Sequence, residues 1–297
     1  MKRRKIIALT IAVLMVLTAV FTLGACGNKS SDSGTTTPSD NASGSAASNV
    51  DVKTLTLTPG KLTIATGNPA WAPWVLNDDP ASGEGFEAAV AYAVADKLGF
   101  AKEDVVWVRS DFDAAIQPGP KDFDFNLQQY SITADRLKIV DFSSPYYKES
   151  LVVITKANSK YANAKTIADL KDAVFGAAQG DIAVQFTADK MGKDPQIFNN
   201  LSDVFLALES GQIDATITGL LTAEYVVNIE KKQITDGVIV GSIPGSDAET
   251  GGLGLLLSKD NPLTPYVSKA VDELWADGTI DKLASQWLGD YSVPVLN

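Results

Sequence analysis

Histidine is absent from the 297-residue chain, and cysteine occurs once, as Cys26. These absences exclude Ser-His-Asp and Cys-His catalysis, His-ligated metals, CxxC redox pairs and zinc clusters. Bases are scarce as well: 25 Lys and Arg face 36 Asp and Glu, a formal net charge of −11. Residues 1–25 hold Lys2, Arg3, Arg4 and Lys5 and no acid, so the rest of the chain carries −15. A chain this acidic lacks the clustered cations that DNA and RNA backbones require, and no nucleic-acid partner is expected. There is no Walker A run, and Gly252-Leu253-Gly254 lacks the third glycine of a dinucleotide fingerprint, so no cofactor is expected either. Asp122-Phe123-Asp124-Phe125-Asn126 begins like a calcium loop, yet Leu127 stands where the turn glycine is required and Thr133 where the bidentate glutamate belongs. No metal is expected there, and the alternation of Asp and Phe reads as a strand with two faces. What is present is core material: 45% hydrophobic residues with 21% charged suits one large globular unit or two smaller ones.

The basic MKRRK start and the uncharged run from Ile6 to Ala25 look like a secretory signal, although by length alone the run could also span a bilayer. Leu23-Gly24-Ala25-Cys26 resembles the bacterial lipobox, which implies a signal peptide over residues 1–25 and lipid attachment at Cys26. From Cys26 to Asp51 the Ser/Thr/Gly-rich sequence has almost nothing to bury, and a flexible linker is expected. On Gly/Ser scaling, residues 27–50 reach roughly 25–30 Å, enough to hold a folded domain clear of a membrane.

Beyond Lys61, short apolar runs alternate with stretches of helical period. Strands are expected at 62–66, 105–109, 123–127, 151–155, 174–177, 196–198 and 215–218. Helices are expected at 84–98, 111–116, 166–171, 182–191, 201–210, 220–228, 263–276 and 280–288. Such alternation predicts α/β layers with mostly parallel sheets, in one doubly wound sheet or in two lobes.

Five segments carry a resemblance: Gly85-Phe86-Glu87, Ser131-Ile132-Thr133-Ala134-Asp135-Arg136, Val140-Asp141-Phe142-Ser143-Ser144-Pro145-Tyr146-Tyr147, Gly211-Gln212-Ile213-Asp214-Ala215 and Ala276-Asp277-Gly278-Thr279. In order and spacing they resemble the extracellular solute-binding proteins, family 3, that deliver polar amino acids to ABC importers. The likeness spans about residues 60–289. It implies the two-lobed type II periplasmic-binding-protein fold, each lobe a mostly parallel sheet flanked by helices, joined by two crossover strands. Lobe one would comprise 52–149 plus 252–297 and lobe two 153–246, with a monomer facing ABC permease and ATPase subunits. The physics of such a cleft stands by itself: a solute touching both lobes excludes water and shifts the population toward closure, which a membrane partner can read.

The resemblance also implies a site. Arg136 would grip the ligand carboxylate, for which a guanidinium fork is suited; paired with Asp135 or Asp141 it would instead be an ordinary surface arginine. Trp71 and Phe112 stand where relatives sandwich the ligand between rings, while Trp74 is equally suited to the core. Asn68 is neutral where relatives selecting cationic side chains carry an acid, which argues against a Lys- or Arg-specific site. Gln128, Gln129 and Ser131 would line the cleft after the third strand. Two positions depart from the family. Gly219 replaces the aspartate that accepts the ligand's α-ammonium, and Gly180-Asp181-Ile182 replaces Gly-Thr-Thr at a helix start whose amides bind the carboxylate. Either Asp181 supplies the missing anion, or the ligand lacks a conventional α-ammonium, since an Asp at a helix start is most simply an N-cap.

The reading that follows is a lipid-anchored binding protein, not an enzyme, held outside the cytoplasmic membrane and passing a small carboxylate-bearing solute to an ABC permease. Two alternatives share the fold. A cyclohexadienyl-dehydratase-like enzyme would use an acid such as Glu84, Glu87 or Asp181, and a sensor ectodomain would report ligand to a signalling partner.

Overall fold

The computed structural model describes residues 50–229 and 233–297. The signal segment, Cys26 and nearly all of the linker lie outside the described residues. Among the described residues, no helix is long and apolar enough to cross a membrane.

Among the described residues, ten strands form two five-stranded sheets. In chain order they are β1 (Leu62–Thr66), β2 (Val105–Arg109), β3 (Phe125–Asn126), β4 (Val140–Phe142), β5 (Leu151–Lys156), β6 (Phe175–Ala178), β7 (Gln196–Phe198), β8 (Ala215–Gly219), β9 (Gly237–Ser242) and β10 (Leu256–Ser258). The first sheet has the order β2-β1-β3-β10-β4 and the second β7-β6-β8-β5-β9. Pairs built from successive βα units are parallel, as expected: β1 with β2 and β3, and β6 with β7 and β8. The strands next to the passages between sheets run antiparallel to their neighbours, β10 against β3 and β4, and β5 against β8 and β9. Strands β4, β9 and β10 have no counterpart in the expected set.

Every residue of β1 is buried, which fits a strand inside the sheet with both faces covered. In β5 the faces separate with period two. Leu151 and Val153 enter a core with Phe175, Phe186 and Leu296, whereas Val152 and Ile154 enter another with Phe205, Leu208 and Ile213. The first sheet packs on α1 (Phe86–Lys97), with Phe86, Val90, Ala91 and Val94 fully buried beside Trp74 and Leu257. Asp124 and the flanking Phe123 and Phe125 are all buried, so this segment has no solvent face. Asp124 instead accepts the Leu57 and Thr63 amides, each at 2.7 Å, and ties the N-terminal turn to β1. The segment expected as one helix at 220–228 is a helix over Leu220–Glu224 continued by a π-helical turn over Tyr225–Ile229.

Several motif residues prove architectural. Gly85 has φ 101°, and a Cβ there would fall 2.6 Å from the Trp74 carbonyl oxygen. Asp141 accepts the Thr264 hydroxyl at 3.1 Å and the Asn261 amide at 3.2 Å. Asp214 accepts the Val174 amide at 2.8 Å, and Asp277 the Thr279 amide at 3.0 Å. The passages after β4 and after β9 touch: Leu253 donates to the Tyr147 carbonyl at 2.7 Å and Ile243 to the Leu151 carbonyl at 2.8 Å. At the C-terminus, Val295 bridges to Ser242 and Leu296 is buried in the second sheet's core.

Candidate functional site

A cavity of about 320 Å³ opens between the sheets, a volume suited to a small ligand. Its walls are the loops at the carboxyl ends of β1, β3, β6 and β8, the expected place for a crevice in open α/β sheets. Asn68, Trp71, Phe112, Gln128, Gln129, Ser131 and Arg136 come from the first lobe, and Asp181, Ile182 and Gly219 from the second. Gly180 is the one expected site residue set back from the lining; its carbonyl faces Arg136 instead.

Arg136 opens a single 3-10 turn (Arg136–Lys138) and is 8% exposed. Neither acid that could have made it an ordinary surface arginine holds it. Asp135 pairs with Lys138 at 2.6 Å, and Asp141 with Lys259 at 3.1 Å. The guanidinium donates at 2.9 Å to the Ser131 carbonyl of its own lobe and at 2.9 Å to the Gly180 carbonyl of the other. Two of its five donors are thus engaged by neutral oxygens, and others remain for an anion. Burial lowers its pKa from the ordinary arginine value, while nearby Asp181 and Tyr130 oppose that shift.

The rings divide as their surroundings dictate. Trp74 is fully buried and belongs to the core, its indole N–H donating to Thr222 Oγ1 of the other lobe at 3.2 Å. Trp71 remains half-buried on the cavity, edge-on to Phe205 of the second lobe at 5.7 Å. Phe112 stacks on Tyr130 at 4.6 Å, and the Arg136 guanidinium carbon lies 5.6 Å from its ring centre. Asn68 lies exposed at the cavity.

Gln128 accepts the Tyr130 hydroxyl at 3.0 Å. Gln129 has φ 52°, a left-handed conformation uncommon outside glycine. The buried Glu87 carboxylate holds it there, accepting the Gln129 amide at 2.9 Å together with its side-chain amide and the Tyr146 hydroxyl. Burial pushes Glu87 up to about 7, with those three hydrogen bonds opposing. Glu87 therefore lies beneath the cavity wall and supports it.

Asp181 is the N-cap of the helix Ile182–Met191, accepting the Ala183 amide at 2.8 Å. Burial raises its pKa; the Ala183 bond and Arg136 oppose this. The Asp181 amide itself donates to the Ala178 carbonyl and the Val184 amide to the Asp181 carbonyl, so much of that helix start is satisfied internally. The two lobes also meet through Gln179, whose side chain donates to Asp113 Oδ2 at 2.7 Å.

Glu149 lines the same cavity and was not among the expected site residues. It lies in the passage between the sheets, two residues after Tyr147 of the Pro145-Tyr146-Tyr147 motif, and its carboxylate fills the space beside Gly219. Burial pushes it up to about 8; the Leu221 amide, donating at 3.1 Å, opposes, and the negative Glu87 adds to the rise. The acid expected at 219 thus has a counterpart on another segment. The clue in the sequence was Gly219 itself, which left a charge to be sought elsewhere.

Residues 62–290 match the family model of bacterial extracellular solute-binding proteins, family 3. The arginine-binding extracellular protein ArtP of Bacillus subtilis (strain 168) is 29% identical over 208 residues, covering 68% of this chain and 77% of that protein. A solved ancestral arginine-binding protein bound to glutamine superposes with a TM-score of 0.64 at 29% identity, over 78% of this chain and 99% of that one. The ancestral amino acid-binding protein AncCDT-1, a precursor of cyclohexadienyl dehydratase, superposes with a TM-score of 0.62 at 26% identity, over 77% of this chain and 96% of its own. The fold is that of the type II periplasmic binding proteins. With its match running through both sheets, the chain belongs to the bacterial extracellular solute-binding proteins, family 3.

Proposed function

We propose that the chain is the lipid-anchored receptor of an ABC importer. It takes up a small amino acid or amino-acid-like solute in the cavity between its lobes and presents the closed form to a permease. The observation that carries this reading is Arg136, 8% exposed, facing a cavity walled by both lobes and held there by two carbonyls with no carboxylate bound to it. A ligand carboxylate is the natural occupant of the remaining donors. Trp71 and Phe112 supply flat walls for the ligand body, and Gln128, Gln129, Ser131 and Asn68 supply neutral polar contacts. Asp181, Ile182 and Gly219 close the site from the second lobe. Cys26 would carry the lipid and residues 26–51 the tether. The relatives that bind arginine, or glutamine in one solved case, support an amino-acid ligand. Asn68 favours a neutral side chain over a cationic one.

The test is a thermal-shift screen of L-amino acids followed by recovery of the ligand. A true ligand at about 100 times its Kd adds roughly 2.7 kcal/mol of stability, and a receptor returns it chemically unchanged. Consumption of the ligand during incubation would move the assignment to an enzyme of the dehydratase kind.

A further inference from the structure

Gly219 has φ −63° and ψ 147°, a backbone that any L-residue adopts, so its glycine does not answer a conformational need. It answers a need for space. A Cβ at 219 would collide with Glu149 Oε1 and lie 2.6 Å from its Cδ and 2.8 Å from Oε2. Glu149 occupies that space at the cavity wall, with the Leu221 amide as its hydrogen-bond donor at 3.1 Å. Among the described residues no lysine or arginine comes within ion-pair distance of it. The titratable groups that face it are Glu87, Tyr146 and Tyr147, and none brings a positive charge. Of the other acids lining the cavity, Asp181 caps its helix beside Arg136 and Asp113 accepts from Gln179, while Asp111 is exposed to solvent and Glu149 is not. One wall of the cavity thus carries a guanidinium with free donors and another a carboxyl with free acceptors.

We propose that Glu149 is the cation acceptor of this site, receiving an amino group of the same ligand whose carboxylate Arg136 holds, and that Gly219 exists to make room for it. The substrate class is then a zwitterion, not a plain carboxylate. This rests on the receptor reading above. In the empty cavity, burial and Glu87 keep Glu149 protonated near neutral pH. An arriving ammonium stabilises the ionised form, so the Glu149 proton passes to solvent as the ligand docks.

The experiment compares each L-amino acid with the matching carboxylate lacking the α-amino group, by calorimetry on the full chain in two buffers of different ionisation enthalpy. Wild type, Glu149→Gln, Gly219→Asp and the double variant Glu149→Ala/Gly219→Asp are used, each first shown to unfold cooperatively. The proposal expects an amino acid to bind, its deaminated analogue to bind at least about 30-fold more weakly, and Glu149→Gln to show a similar loss. Gly219→Asp alone crowds the Glu149 carboxylate and should bind more weakly than wild type, and the double variant, which restores a single carboxylate to the same place, should recover most of the affinity. Wild type should release about one proton per ligand at pH 6.5. Amino-acid affinity unchanged in Glu149→Gln, or release of no proton, overturns the proposal and leaves the receptor intact. Equal binding of the deaminated analogue overturns it too. Binding of neither ligand class overturns the receptor reading and this proposal together.

Discussion

Replacing Glu87 by Gln should remove a cost that the protein bears at alkaline pH. Glu87 is 1% exposed and its pKa is pushed up to about 7 from 4.5, burial being the largest cause. An acid whose folded pKa is raised binds more protons folded than unfolded, so its stabilising contribution is complete below pH 4.5 and is lost as pH rises through 7. A difference of about 2.5 in pKa corresponds to ~3 kcal/mol once the group is ionised in both states. Glutamine keeps the shape and stays neutral. Its oxygen can accept from the Gln129 amide and the Tyr146 hydroxyl as Glu87 does, and its NH2 can donate to Gln129 once that side-chain amide turns over. Urea unfolding of the ligand-free protein at pH 5 and pH 8 is the assay. At pH 5 the variant should lead by only ~1 kcal/mol, because the unfolded carboxyl is already mostly ionised there, while at pH 8 it should lead by up to ~3 kcal/mol, or roughly 6–12 °C in Tm. Glu149 shifts in the same direction, with a window reaching about pH 8, so wild type should go on losing stability past 7 and the Glu87→Gln/Glu149→Gln double variant should flatten the profile. A wild-type stability that does not change between pH 5 and 8, or a Glu87→Gln protein weaker than wild type at pH 8, would refute the reasoning.

Three further outcomes follow from particular contacts. Gly85→Ala forces a Cβ to 2.6 Å from the Trp74 carbonyl oxygen at φ 101°, and urea unfolding should show a loss of about 1–3 kcal/mol or more; a loss under about 0.5 kcal/mol would mean the loop shifts freely. Trp71→Ala removes a half-buried ring and its contact with Phe205 across the cleft, and calorimetry should show ligand affinity reduced about tenfold or more, a change absent if the ring merely packs. Gln179→Ala deletes the interlobe bond to Asp113. A neutral-to-charged hydrogen bond contributes about 1.5–3 kcal/mol at most, less where exposed, so X-ray scattering of the ligand-free protein should show a larger radius of gyration than wild type, with the two converging once ligand is added.

Much of the fold could be read from periodicity because its elements sit where local and global preferences agree. Strands Val105–Arg109 and Gln196–Phe198 and helices Ile182–Met191 and Leu201–Ser210 appear with the expected bounds, the helices bracketed by Asp181 and Asn200 at their starts and by Gly192 and Gly211 in the left-handed conformation at their ends. Strands β4 and β10 could not be read so, since they pair with each other across more than 100 residues of sequence and no local pattern encodes that pairing. The burial of Leu296 with the second sheet is non-local in the same way.

The site was legible where a residue's chemistry matched the family and opaque where it had moved. Arg136, Trp71, Phe112 and the post-β3 glutamines meet at one cavity because the loops that bear them follow adjacent strands. Glu149 escaped notice because its relation to Gly219 is a matter of volume across 70 residues of chain, which no local pattern encodes. Conversely, Asp141, Asp214 and Asp277, conspicuous within the motifs, bond backbone amides and helix starts, and none of them lines the cavity.

A crystal structure of the protein with an amino acid identified by the thermal screen tests the account most directly. The ligand carboxylate should lie with its oxygens about 2.7–2.9 Å from the Arg136 guanidinium, between the lobes and beside Trp71 and Phe112. A guanidinium turned to bulk solvent, with the amino acid bound elsewhere or held by its carboxylate through other donors alone, would contradict it.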